Sequence, residues 1–78
     1  MMISPEEFIE EYKNKTYTDL VLVRDGLITD ILHFEKNRNI LVKEQTVLPS
    51  PETIYQMNLS YLAKLFELIA DKYGDEFI

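Results

Sequence analysis

The sequence predicts an all-α protein, a short N-terminal helix followed by a long antiparallel helical hairpin, with two copies joining into a four-helix-type bundle. Three observations carry that expectation. Two segments open with one start signal, Ser4-Pro5-Glu6 and Ser50-Pro51-Glu52. Two long stretches repeat apolar residues at the helical period. Both of their apolar arcs are wider than a single neighbouring helix can cover, which calls for further burial partners.

The first helix is expected over residues 5–13. Serine at the N-cap accepts a bond from an orphaned N–H, proline loses nothing at the first helical position, and Glu6 and Glu7 complement the positive dipole end. Phe8, Ile9 and Tyr12 form its inward side. Asn14-Lys15 ends it, and Thr16 with Asp19 three residues on is a short-armed capping box for the next helix.

The second helix is expected over residues 17–37. At about 100° per residue, Val23, Leu27, Ile31 and Phe34 fall within about 60° of Leu20. Val21, Ile28 and Leu32 extend the arc on one flank, and Leu22, Gly26, Thr29 and His33 lie opposite. Gly26 costs the helix about 1 kcal/mol relative to Ala, yet one continuous helix is expected through it, with a bend or a close helix contact there as the lesser alternative. Residues 38–50 are ambiguous between a continuation of the helix to about Gln45 and a break at Asn39 into a short extended segment or hairpin. Helix or loop is preferred there to a hairpin, because an isolated two-stranded hairpin is marginal in water.

The third helix is expected over residues 51–73. Ile54, Met57, Tyr61, Leu65 and Leu68 make one stripe, widened on one flank by Leu62, Ile69, Tyr55 and Tyr73, with Leu59 and Phe66 beyond. Gly74 is placed to cap it, and the last residues, Phe77 and Ile78, are expected to fold back onto it. The two long helices then form an antiparallel hairpin closed at one end by the first, a single domain over 1–78.

Composition narrows the function. The 78 residues carry 14 Asp+Glu against 8 Lys+Arg, a net charge of −6, with one His and no Cys. Direct nucleic-acid binding is unfavoured, because it rests on neutralising phosphates. Disulfides, thiol catalysis and thiolate metal sites are excluded. The acidic, interrupted N-terminus is not a secretory leader, and no apolar run approaches the roughly 20 residues of a membrane span, so a cytoplasmic protein without membrane contact is expected.

The chemistry-bearing residues are few. His33 follows Asp30 by three, but a di-iron pattern needs two such pairs and more acids, so His33 reads as a surface residue and no metal or other cofactor is expected. Glu6 with Glu10, Glu7 with Glu11, and Glu67 with Asp71 are helical neighbours that read as solvated faces, with a basic docking partner as their functional use. Lys36, Arg38 and Lys43 complement a helix C-terminus. Arg24 and Asn58 stand out, because each falls near the centre of an apolar arc. The ordinary reading is a buried polar residue satisfied within the fold; the functional ones are a polar network between subunits or a ligand-binding spot. Arg24, Leu27, Ile31, Asn58, Tyr61 and Leu65 are therefore the expected contacts for a dimer or partner.

No Gly-rich phosphate loop and no nucleophile–base spacing is present, so an enzyme is not expected. The expectation is a helical interaction or regulatory module, homodimeric, that binds another macromolecule, another protein being the partner. The alternative is an acidic antirepressor or nucleic-acid mimic occupying a basic surface. A metal-dependent enzyme with a site shared across a dimer ranks last.

Overall fold

The computed structural model describes residues 3–43 and 50–78, with the backbone alone described at Val42 and Lys43. They form three helices: α1 (Pro5–Tyr12), α2 (Tyr17–Lys43) and α3 (Pro51–Phe77). Residues 44–49 of the ambiguous stretch lie outside the described residues.

Side-chain caps set the starts. Ser4 and Ser50 are extended (ψ 158° and 157°), and each hydroxyl accepts from the backbone N–H three residues on, Glu7 and Thr53, at 3.2 Å. Thr16 Oγ1 accepts from the Asp19 N–H at 3.2 Å. Each bond satisfies a donor that the first helical turn would otherwise leave unpaired.

The ends differ from expectation for identifiable reasons. Helix α1 stops at Tyr12, with Lys13 as its C-cap. Helix α2 passes Asn37 and continues to Lys43, so residues 38–43 belong to a helix. It kinks at Asn37 (φ −115°, ψ 17°), where the side-chain Nδ2 donates to the His33 carbonyl at 2.9 Å. A side chain competing for the i−4 acceptor is a recognised cause of a local kink. The helix runs continuously through Gly26, as expected, and no close contact forms there: a Cβ added at that position would meet nothing within 4 Å.

Helix α3 runs through Gly74 to Phe77, so Gly74 is not its cap, and the fold-back of the last residues does not occur. Tertiary contacts hold the last turn helical. Glu76 Oε2 accepts from the Tyr17 N–H at 2.8 Å, capping the start of α2 from the end of α3. The Tyr17 ring meets Tyr73 and Phe77 edge-on at 5.5 and 5.3 Å. Together these offset the roughly 1 kcal/mol that a mid-helix glycine costs.

The core is thin. Phe8, Leu20, Tyr61, Leu65 and Ile69 form its main cluster, with Leu20 and Leu65 fully buried. Phe8 of α1 stacks on Tyr61 of α3 at 4.4 Å, and the Tyr61 hydroxyl donates to the Ile3 carbonyl, which fastens α1 to the hairpin. Farther along, Ile31 and Phe34 are buried, and Phe34 stacks on Tyr55 at 4.5 Å. The radius of gyration is 14.2 Å and the extents are 47 × 23 × 14 Å. A compact chain of this length would have a radius near 11.5 Å, so the helices form an elongated slab rather than a ball.

No helix of the described residues is long and apolar enough to cross a membrane.

Candidate interaction surface

The placement of α1 decides which flank of the hairpin stays open. Val23 and Leu27 of α2, and Met57 and Leu68 of α3, pack against the cluster that holds Phe8, so α1 closes that side. On α2, Val21, Ile28 and Leu32 lie about 80–120° from Leu20, on the flank away from Val23 and Leu27. On α3, Leu59, Leu62, Phe66, Tyr73 and Phe77 lie on the flank away from Met57 and Leu68. Residue angles run in opposite senses on antiparallel helices viewed from one end, so the two flanks fall on the same side of the slab.

That side keeps large apolar groups in water. Leu32, Leu59, Phe66, Tyr73 and Phe77 are 47%, 41%, 47%, 46% and 60% exposed, and Val21, Ile28 and Leu62 are half-buried beside them. Scattered exposed apolar residues are ordinary, but a run of them along one side of two helices is not.

The expected site residues divide by burial. Ile31, Tyr61 and Leu65 are buried within the single chain, and Leu27 packs against the core, so the hairpin and α1 already cover them. Arg24 and Asn58 are half-exposed rather than buried, and no polar side chain among the described residues is buried. Arg24 bonds its own neighbour, with Nε and Nη2 at 3.1 and 3.0 Å from Asp25 Oδ1. The two residues fall at different heights on the hairpin: Asn58 lines a cleft of about 240 Å³ with Asp30, His33, Phe34, Leu41 and Tyr55. That cleft exists because α1 is eight residues long and leaves the far part of the same groove uncovered, which also leaves Ile54 of the expected core stripe 38% exposed.

Carboxylates expected on separate faces come together. Glu6 and Glu10 of α1 meet Glu67 and Asp71 of α3 around a groove of about 290 Å³, floored by Ile9 and Leu68 and edged by Lys64. No three His, Cys, Asp or Glu among the described residues stand close enough to hold a metal ion, and His33 is exposed, with Nδ1 3.4 Å from Asn37 Nδ2.

Two tyrosines have raised pKa values. The Tyr55 hydroxyl donates to Glu35 Oε2 at 2.7 Å, and that bond, with desolvation and the nearby charge of Glu35 behind it, disfavours the phenolate. At Tyr61 burial leads, followed by the charges of Glu11 and Glu7. Both phenols are raised away from neutral pH, so they act as hydrogen-bond donors there.

The contacts expected from the sequence do not include Leu59 and Phe66. The available signal was the width of the third apolar arc, but its periodicity does not say which flank α1 will cover.

No protein-family model matches the chain, and no curated protein and no solved structure matches it either.

Proposed function

We propose that this protein is a non-enzymatic helical interaction module that pairs with a second copy through the flank left open by α1, and presents the paired unit to a macromolecular partner. The observation that carries this reading is the line of half-exposed Leu32, Leu59, Phe66 and Phe77 on one side of a slab with a thin core. A chain of this size buries about 60% of its unfolded surface on its own, so pairing along that side supplies burial that the single chain lacks. A two-fold pair of hairpins would form the four-helix-type bundle, since two-fold dimers are the commonest assembly. Light scattering across a dilution series tests the reading: a mass approaching twice 9.2 kDa supports it, and a constant single-chain mass contradicts it. Phe66→Glu should return the protein to one chain with its helix content unchanged, because Phe66 is 47% exposed and outside the core cluster.

A second reading draws on the acidic groove. Glu6, Glu10, Glu67 and Asp71 around an apolar floor suit a basic, partly apolar segment of a regulated protein, the chemistry of an antirepressor that occupies a nucleic-acid-binding surface. Partner binding through this groove should weaken steeply with salt and fail in Glu10→Lys, whereas binding through the apolar side should do neither.

A further inference from the structure

The outer edge of α3 carries a pattern that specifies how two copies would meet. Leu59, Ala63, Phe66, Ala70, Tyr73 and Phe77 follow one another in alternating steps of four and three, the spacing of a coiled-coil seam. All six are exposed, and none is charged, in a chain with a net charge of −6. Leu62 beside them is half-buried and Ile69 is buried in the core, so the seam lies on the open side of the slab and not on the face that builds the core. One step beyond Leu59 the pattern ends in Gln56, and the next position is Glu52.

From Leu59 to Tyr73 the seam alternates bulk: Leu59, Phe66 and Tyr73 form one heptad series, and Ala63 and Ala70 begin the other, which Phe77 ends. In a parallel two-fold pair each residue would face its own copy. Phe66 would then meet the partner's Phe66, and Ala70 the partner's Ala70, giving layers that are alternately overfilled and empty. An antiparallel two-fold centred at Leu68 reverses the match. Phe66 then faces the partner's Ala70, and Tyr73 faces the partner's Ala63, so these two rings each meet a methyl. Leu59 and Phe77 of the two copies close the ends.

We infer that the second copy docks through an antiparallel α3–α3 seam, with Phe66 packed against the partner's Ala70 about a two-fold axis that crosses the seam at the level of Leu68, which itself lies on the far side of the helix. This rests on the self-association proposed above and adds its orientation and register. Steric self-complementarity under the two-fold is what selects a second copy as the occupant. The one charged residue beside the axis, Glu67, comes near the partner's Glu67 at the solvent edge of the seam.

The absence of native cysteine allows single labelling sites. Gln56→Cys, Glu67→Cys and Gly74→Cys would each be spin-labelled in the full chain, and the distance between the two copies measured. At about 1.5 Å per residue the antiparallel register predicts axial offsets of about 36, 3 and 18 Å respectively. Nearly equal distances at the three sites would overturn the orientation while leaving self-association standing. A dimer absent at every concentration would overturn both. A knob exchange gives a second arm: Phe66→Ala and Ala70→Phe should each weaken the pair by about tenfold or more, and the double variant should recover most of it. Additive losses in the double variant would refute the Phe66–Ala70 contact.

Discussion

Leu20 and Leu22 are the same residue type, two positions apart on α2, with opposite fates: the first is fully buried and the second 65% exposed. Leu20→Ala removes about three carbon groups from water-free packing, about 2.4 kcal/mol of transfer, and leaves a cavity among Phe8, Leu65 and Ile69, for a total of about 3–4 kcal/mol. Leu22→Ala forfeits about a third of the transfer term and gains slightly in helix propensity, for a loss below about 1 kcal/mol. A chain of this length has about 4–12 kcal/mol of stability in all, so the first change takes a large share of it. Urea unfolding followed by circular dichroism, at one fixed protein concentration, separates the two. With a slope near 1 kcal/mol per molar for so small a domain, Leu20→Ala should lower the midpoint by about 3 M and Leu22→Ala by less than about 1 M. Equal shifts would refute the rotational phase assigned to α2, and the open flank with it.

Three other outcomes follow from the same geometry. Gly26→Ala should stabilise the protein by about 0.5–1 kcal/mol, seen as a rise of several degrees in thermal midpoint, because an added Cβ meets nothing within 4 Å. Tyr61→Phe should cost about 1 kcal/mol through the lost bond to the Ile3 carbonyl. Its pH signature has a fixed sign: burial raises the folded-state pKa above the ordinary 10.0, so this contribution is complete below pH 10.0 and is lost as pH rises through the folded value. Alkaline destabilisation should therefore be shallower in Tyr61→Phe. Glu76→Ala should abolish the hydrogen-exchange protection of the Tyr17 amide while leaving the middle of α2 protected, since that amide donates to Glu76.

Local signals made the helix starts legible. Ser4 and Ser50 cap as their Pro-Glu neighbours announce, because capping depends on a few adjacent residues. Burial at Leu20, Ile31, Phe34, Tyr61 and Leu65 follows from the apolar period. The helix ends were less legible, because contacts distant in sequence decide them. Gly74 has the composition of a cap, yet Glu76 on Tyr17 and the Tyr17–Phe77 packing keep the chain helical past it. The kink belongs to Asn37 and not to Gly26, since it arises from a side chain reaching back to a carbonyl rather than from missing bulk.

The candidate surface was the least legible feature. Centrality in an apolar arc marked Ile31, Tyr61 and Leu65 as contacts, but the most central residues are those the chain's own helices bury first. The large apolar residues that stay exposed on the open flank stand at the arc's edge, at Leu32, Leu59 and Phe66. Which edge stays open depends on the side taken by α1, a choice made by Phe8 stacking on Tyr61. Arg24 likewise sits centrally by angle, but its long side chain reaches Asp25 and remains half-exposed.

The central claim is that α1 closes one side of the hairpin and a second copy takes the other. Backbone amide shifts recorded across a dilution series up to about 1 mM test it most directly, because that range captures even weak pairing. The account predicts concentration-dependent shifts at Ala63, Phe66, Ala70 and Tyr73, with Phe8, Ile9 and Leu68 unmoved. Shifts centred on α1 and Leu68, or none across the whole series, would contradict it.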